Sequence, residues 1–289
     1  MIDFHTHPVL IREFVEKYPN YERAARQVFN IGNNFQPLET FFLQMDVAGI
    51  EKAVLLPIDC KRARKDAVSS NEQVAELCAK TKRFIGFASV DPLKKGAARE
   101  LENAVKKLGL KGLKLDPALQ DFRPDARKVY PVYEAAAALG IPLLIHTGMS
   151  WAPETPLERG LPLHLERPIR DFPRLNFVLA HFGWPWVWEA TALALKYPNV
   201  YLDTTMVFIP RRVHVFPEAD NPITFIGESA LRAFMEQYSD QLLYGSDFPN
   251  IPYSYEESIN GLLELDLSKS TYQNIFFNTA KKVFKLTVI

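Results

Sequence analysis

Short apolar runs alternate along the whole chain with longer stretches in which apolar positions recur at helical spacing. Apolar runs bounded by Gly, Pro or Asp indicate strands, and a period of about 3.6 residues indicates helices. The pattern predicts eight strands, at residues 2–7, 52–57, 84–90, 112–116, 142–147, 176–181, 200–204 and 242–247. It predicts helices at residues 37–48, 70–82, 96–108, 126–139, 163–172, 185–196, 224–238 and 255–265. Strands that alternate with helices favour a parallel sheet covered by helices.

The predicted strands are mostly apolar along their whole length, so each needs cover on both faces. Eight strand-helix repeats of this kind predict an α/β fold that closes into a (β/α)8 TIM barrel, with residues 1–289 as a single domain. Two connections are longer than the repeat requires, residues 11–36 after the first strand and residues 206–221 after the seventh. Residues 271–286 predict an extra amphipathic helix at the C-terminal end.

The charge balance and the cysteine content narrow the class of protein. Among 289 residues, 34 Lys+Arg match 34 Asp+Glu, so no excess of positive charge points to a nucleic-acid partner. No apolar run approaches the ~20 residues of a membrane span, and the first strand follows Met1 too closely for a secretory signal. Cys60 and Cys78 are too few for a disulfide framework. We expect a cytoplasmic protein; a homodimer is compatible with the sequence, which leaves the oligomeric state open.

Four of the six histidines lie at the C-terminal ends of predicted strands, where the loops of a TIM barrel gather the active site. His5 and His7 are two residues apart on the first strand, so their side chains point the same way. His146 ends the fifth strand, His181 ends the sixth, and Asp247 ends the eighth. This distribution predicts that all five side chains meet at the mouth of the barrel.

Imidazole nitrogens together with a carboxylate suit a divalent Zn, Mn or Fe ion, and the missing thiolates argue against a structural zinc site. Each residue also has a simpler interpretation. His146 and His181 could be hydrogen-bonded core histidines, and Asp247 could cap a helix. Their combination at one end of the barrel favours a metal site. His164 and His214 are predicted to be surface or rim residues.

Several sequence motifs resemble those of the amidohydrolase superfamily. The similarity is greatest to the amidohydrolase-related branch that includes the aminocarboxymuconate-semialdehyde decarboxylases and related aromatic-acid decarboxylases. The motifs extend over nearly the whole chain, at residues 1–7, 112–117, 145–148, 179–183, 201–204 and 245–249. They are specific for the superfamily but not for the reaction, since related barrels hydrolyse amides, lactones and esters, hydrate double bonds or remove CO2.

The resemblance implies that His5, His7, His146 and Asp247 hold one divalent metal ion, with zinc favoured over manganese or iron. It implies that His181 is the nearby acid/base or water-orienting group. Asp247 would then be both a ligand and a proton acceptor, and His181, with an ordinary pKa of about 6.5, could pass the proton to a leaving group.

Lys114, on the fourth predicted strand, has three interpretations. In binuclear members of the superfamily a lysine on this strand is carbamylated and bridges two metals. An unmodified Lys114 could instead bind a substrate carboxylate, or it could simply be solvated. The single-metal site is favoured here.

Aromatic residues crowd the same ends of the predicted strands and indicate a pocket for a flat, unsaturated substrate. They are Trp151, Trp184, Trp186, Phe248 and Tyr253. Packing of the loops against each other would explain them equally well. Four arginines in loops could reach the mouth and bind a carboxylate, namely Arg62, Arg64, Arg211 and Arg212.

The favoured function is metal-dependent hydrolysis of a small-molecule amide, lactone or ester, in which metal-activated water attacks a carbonyl. The alternative is a metal-dependent, non-oxidative decarboxylase of an unsaturated or aromatic carboxylic acid, in which His181 or Asp247 protonates the carbon that loses CO2. A barrel that keeps its metal but serves only as a binding or sensor module is disfavoured, because the ligands and the acid/base candidate occur together.

Overall fold

Parallel strands occupy the centre of the computed structural model, which describes residues 1–18, 20–28, 32–152, 154–209 and 228–285. The strands of this part are β1 (Ile2–Thr6), β2 (Lys52–Leu55), β3 (Phe84–Gly86), β4 (Ala88–Ser89), β5 (Leu113–Leu115), β6 (Leu143–Ile145), β7 (Phe177–Leu179), β8 (Val200–Asp203) and β9 (Leu242–Leu243). They pair in sequence order within two groups, β1 to β3 and β4 to β9.

The two groups are continuous through the third predicted strand, which is interrupted at one residue. Phe87 separates β3 from β4, and its backbone N–H donates to the carbonyl of Leu55 on β2 at 3.0 Å. The next residue, Ala88, donates to the carbonyl of Gly112 at 2.8 Å. The chain therefore passes from one neighbouring strand to the other, and β3 and β4 together serve as one strand of the barrel.

The barrel closes between its first and last strands. The N–H of Phe4 donates to the carbonyl of Tyr244 at 2.8 Å, and the N–H of Asp247 donates to the carbonyl of His5 at 2.8 Å. Because closure joins the two edges of the sheet, every strand has a neighbouring strand on both sides. The predicted TIM barrel is confirmed.

Helices surround the barrel and follow the predicted alternation. They are α1 (Arg12–Lys17), α2 (Tyr21–Val28), α3 (Leu38–Val47), α4 (Lys61–Arg64), α5 (Asn71–Lys80), α6 (Ala97–Leu108), α7 (Tyr130–Leu139), α8 (Glu166–Asp171), α9 (Val187–Lys196), α10 (Glu228–Gln237), α11 (Tyr255–Leu263), α12 (Lys269–Gln273) and α13 (Thr279–Phe284). None of the helices in the described residues is both long enough and apolar enough to cross a membrane.

Several predicted elements differ from the observed ones in their bounds or in the type of helix. The connection at residues 11–36 contains α1 and α2, and the C-terminal segment forms α12 and α13 with a π-helical turn between them, Asn274–Asn278. The predicted helix at residues 163–172 begins as a 3-10 turn, Pro162–Leu165, and becomes α-helical only from Glu166. Most of the connection predicted at 206–221, with Arg211, Arg212 and His214, lies outside the described residues.

The interior of the barrel is a separate apolar layer beneath the mouth. Its buried side chains come from successive strands and include Phe4, Val54, Phe87, Leu144, Val178, Tyr201 and Leu243. Phe284, at the end of α13, brings its ring to 4.9 Å from that of Phe4 and 5.9 Å from that of Phe87. The extra C-terminal helix therefore packs against the side chains that fill the barrel.

Substitution of Leu144, which is 0% exposed, tests the importance of this layer. Leu144→Ala should lower the free energy of unfolding by about 2–5 kcal/mol, because it removes buried methyl groups and leaves a cavity. Leu163→Ala is the matched control, since Leu163 is 54% exposed, and it should change stability by about 0.5 kcal/mol or less. Denaturant unfolding measures both variants, and equal losses would contradict the assignment of Leu144 to the core.

Candidate active site

A pocket opens at the C-terminal ends of the strands, as the barrel fold leads one to expect. Its polar lining combines imidazoles, carboxylates and one amine, from His5, His7, Lys114, Asp116, His146, His181 and Asp247. Its apolar lining includes Ile58, Leu119, Met149, Trp151, Trp184, Met206, Val207 and Ile209. An apolar lining with a few converging polar groups is suited to a small-molecule ligand.

Three of the predicted ligands converge in this pocket. Oδ1 of Asp247 lies 3.3 Å from Nε2 of His5 and 3.2 Å from Nε2 of His7. All three side chains are buried, and their potential ligand atoms lie within 4.8 Å of one another. Two imidazoles and a carboxylate at this spacing fit a divalent cation.

In both His5 and His7, the ring nitrogen turned away from Asp247 is Nδ1, and it faces a hydrogen-bond acceptor. Nδ1 of His5 lies 2.8 Å from Oδ2 of Asp203, and Nδ1 of His7 lies 2.8 Å from the carbonyl oxygen of Leu56. A carboxylate or a carbonyl can only accept a hydrogen bond, so each proton belongs on Nδ1. Both Nε2 lone pairs then face Asp247, which is how metal-binding histidines are usually oriented by their outer partners.

An irregular register on β1 directs His5 into the barrel. Asp3 pairs with Ala53 and Thr6 pairs with Leu55, so three steps along β1 match two along β2. Such an irregularity changes the direction in which the following side chains point. As a result Phe4 fills the barrel interior while His5, the next residue, also faces inward and lines the pocket.

Two further features allow the strand ends to approach closely. A side chain at Gly245 would collide with Oγ1 of Thr205 and lie 2.8 Å from Cβ of His5, so this position requires glycine. Asp247 itself has a left-handed backbone, with φ of 71°, which few residues other than glycine, Asn and Asp adopt readily. The chain therefore turns sharply where it presents the Asp247 carboxylate.

His146 and His181 form a second group beside the first. Nδ1 of His146 lies 3.1 Å from Nε2 of His181, and Nδ1 of His181 lies 3.3 Å from the carbonyl oxygen of Thr205. Because that carbonyl only accepts, His181 carries its proton on Nδ1 and accepts from His146 at Nε2. Nε2 of His146 then carries a lone pair, and this atom is buried with no hydrogen-bond partner. A buried lone pair of this kind is available to a ligand.

Burial and neighbouring charges set the protonation of the site. Burial, followed by the neighbouring imidazole of His146, lowers the pKa of His181 to about 4, so His181 is neutral near pH 7. Burial raises the pKa of Asp247, but the close imidazoles of His7 and His5 outweigh burial and lower that pKa below its ordinary value. Burial also lowers the pKa of Lys114 below its ordinary value. At neutral pH, Asp247 and His181 are thus both bases.

The structure brings together some of the predicted site residues and separates others. His5, His7 and Asp247 form one group, whereas His146 lies outside it and beside His181. Lys114 is buried on β5, with Nζ 3.4 Å from Nε2 of His5, so its interpretation as a solvated lysine is wrong.

The predicted aromatic residues divide in the same way. Trp151 and Trp184 line the pocket and stack at 6.4 Å between ring centroids, with an interplanar angle of 19°. Phe248 is not among the pocket-lining residues, because its ring stacks on Tyr255 at 4.5 Å. Trp186 precedes α9, and Tyr253 lines a separate groove.

The described loop arginines and the rim histidine lie away from the pocket lining. Nε of Arg62 donates to Asp91 at 2.7 Å, and a nitrogen of Arg64 lies 3.6 Å from a carboxylate oxygen of Glu154. His164 is half-buried in the 3-10 turn before α8. Arg62, Arg64 and His164 therefore do not line the pocket, and the two arginines contact acidic residues outside its lining.

Sequence reasoning did not identify Asp203 or Asp116 as site residues. Asp203 ends β8 and contacts His5, and Asp116 follows β5 and lies 3.9 Å from Nδ1 of His146. Both follow an apolar run, so they share the strand-end signal that identified the histidines. The hydrogen bonds between different strands, which give these residues their positions, are not visible in one sequence.

The chain belongs to the amidohydrolase family, whose family profile matches residues 2–286. It is 26% identical to gamma-resorcylate decarboxylase of Polaromonas sp., over 86% of this chain and 84% of that protein.

Solved structures of similar fold include a TIM-barrel protein from Bordetella bronchiseptica, with a TM-score of 0.77 and 24% identity over 99% of this chain and 98% of that chain. They also include 5-carboxyvanillate decarboxylase from Novosphingobium aromaticivorans, solved with manganese, with a TM-score of 0.67 and 19% identity over 99% of this chain and 96% of that chain.

Metal content of the purified protein tests the first group of residues. The protein should bind about one divalent ion per chain, and His7→Ala should weaken binding by at least tenfold, because an open site depends on every ligand. His164→Ala is the matched control, since His164 does not line the pocket. Titration calorimetry with Zn²⁺ and Mn²⁺ measures the affinities. A folded wild-type protein that binds neither ion would contradict the assignment.

Proposed function

We propose that the protein is a metal-dependent, non-oxidative decarboxylase of an unsaturated or aromatic carboxylic acid. The observation that carries this proposal is the similarity to gamma-resorcylate decarboxylase along 86% of the chain. The pocket is compatible with such a substrate, because its lining combines polar groups with a stacked pair of tryptophans. Decarboxylation therefore ranks above the hydrolysis that the sequence alone favoured.

His5, His7 and Asp247 would hold the metal ion, and the buried lone pair on Nε2 of His146 is suited to a fourth ligand. Two or three imidazoles with one carboxylate suit zinc, manganese or iron. Manganese is supported by its presence in the 5-carboxyvanillate decarboxylase structure. When bound, the ion would supply positive charge that orients the carboxylate of the substrate and draws electron density from it.

Lys114 and the tryptophans would orient the rest of the substrate. Lys114 is a buried lining residue of the pocket, and its amine would give a substrate carboxylate a cationic partner. Trp151 and Trp184 would contact the flat face of an unsaturated or aromatic substrate. A carbamylated Lys114 that bridges a second ion is the alternative, and it requires two ions per chain.

His181 would deliver the proton that decarboxylation consumes. The carbon that bears the carboxylate takes a proton, the bond to the carboxylate carbon breaks, and the electron pair of that bond returns to the substrate as CO2 leaves. Without substrate His181 is neutral, but an anionic substrate would stabilise the imidazolium and so raise its pKa above about 4. Solvent then replaces the proton.

Hydrolysis is the second candidate, and one observation favours it. Asp247 has a lowered pKa and is a carboxylate at neutral pH, so it could accept a proton from water that attacks a carbonyl. In that reaction His181 would orient the water or pass the proton to the leaving group.

We propose that residues 1–289 act as one domain and that the protein works on a small molecule in a reducing compartment such as the cytoplasm. Free thiols at Cys60 and Cys78 are compatible with that compartment.

The isotope content of the product distinguishes the two reactions. Metal-loaded protein with a panel of hydroxylated aromatic acids in D2O should release CO2 and give a product with one deuterium at the carbon that carried the carboxylate. Because His181 must be protonated in the complex, kcat should fall about tenfold per pH unit above its pKa there. Mass spectrometry of the product and a CO2 assay across pH provide these measurements.

The variant His181→Ala should lower kcat and kcat/KM together by about 100-fold or more while metal content stays near that of wild type. Trp188→Phe is a control outside the pocket lining. Turnover of esters, lactones or amides in H2¹⁸O, with ¹⁸O in the product and no CO2, would contradict the proposed decarboxylation and show that the reaction is hydrolysis.

A further inference from the structure

We propose that Asp203 is a positioning residue that couples the two groups of the active site, fixing the tautomer of His5 and the place of His181 at the same time. The inference rests on the proposed metal site, because it assigns Asp203 the task of keeping Nε2 of His5 unprotonated. Asp203 ends β8 and is 0% exposed. It touches no metal ligand atom directly and acts only through its neighbours.

The two oxygens of Asp203 serve different halves of the site. Oδ2 lies 2.8 Å from Nδ1 of His5. Oδ1 accepts from the backbone N–H of His181 at 2.7 Å and from the backbone N–H of Thr205 at 3.1 Å. A single rigid carboxylate therefore sets the distance between the ligand on β1 and the imidazole that follows β7.

The backbone at His181 depends on this contact. His181 and Phe182 have left-handed backbones, with φ of 56° and 50°. A non-glycine residue in this region is held there by its surroundings. Asp203 binds the N–H of His181, and the carbonyl of Thr205 faces its ring Nδ1 at 3.3 Å. The segment 203–205 thus holds His181 at both its backbone and its ring.

All three partners of Asp203 act as donors, which makes a carboxylate the only suitable side chain of this size. An amide has one accepting end and one donating end. In Asp203→Asn, the amide oxygen should stay with the two backbone N–H groups, because a backbone cannot change its donor. The NH2 group then faces His5, whose neutral ring can respond by moving its proton from Nδ1 to Nε2. That tautomer has no lone pair directed at the metal site.

The substitution Asp203→Asn should therefore weaken metal binding by about 10–100-fold, the usual effect of losing an outer partner of a metal-binding histidine. In the metal-free protein, ¹⁵N-labelled histidine should show the His5 proton on Nδ1 in wild type and on Nε2 in the variant. With six histidines in the chain, single substitutions assign the signals. Asp203→Ser, whose side chain is shorter and lacks the second oxygen, provides a second variant with the same expected loss of metal affinity.

Asp91→Asn is the matched control, because Asp91 is also a buried carboxylate with a backbone and a side-chain donor, Leu93 and Arg62, and does not line the pocket. It should keep metal affinity within threefold of wild type and leave the His5 tautomer unchanged. Wild-type affinity and an unchanged tautomer in folded Asp203→Asn would overturn the proposal, as would an equal loss in Asp91→Asn. If wild type itself binds no metal, the proposed function fails, and the tautomer measurement still tests Asp203.

Discussion

The arrangement of the active site depends on the need of every buried polar group for a partner. Unpaired charges and hydrogen-bonding groups are costly in a protein interior. At the mouth of this barrel, His5, His7 and Asp247 are buried together. The Nδ1 atoms of the two imidazoles satisfy this need with Asp203 and Leu56, so both Nε2 atoms and the Asp247 carboxylate are left facing each other. A divalent cation would complete this set of donors and balance its charge.

The barrel is what brings these groups within reach. His5 and Asp247 are separated by most of the chain, yet the closing hydrogen bond joins their backbones at 2.8 Å. Gly245 allows the strand ends to approach closely, and Phe284 of α13 packs beneath them on Phe4. The geometry of the mouth therefore follows from closure between the first and last strands, with the apolar interior as its support.

Periodicity and residue type were sufficient to predict the barrel and to place five ligand-type residues at its mouth, since strand ends meet at one end of a parallel barrel. They could not predict which of these residues touch. The register irregularity on β1, the left-handed backbone at His181 and the pairing of His146 with His181 arise from contacts between distant segments. Phe248 has the same apolar sequence signal as Trp184, and only packing against Tyr255 distinguishes it. The role of Asp203 likewise depends on partners that are remote in sequence.

The proposed chemistry depends most on one metal ion held between His5, His7 and Asp247. Anomalous diffraction from crystals grown with Zn²⁺ or Mn²⁺ tests it most directly. We expect one peak per chain at about 2.0–2.2 Å from Nε2 of His5, Nε2 of His7 and an Asp247 oxygen, with Lys114 unmodified. Two peaks bridged by a carbamylated Lys114, or no peak at these atoms, would contradict it.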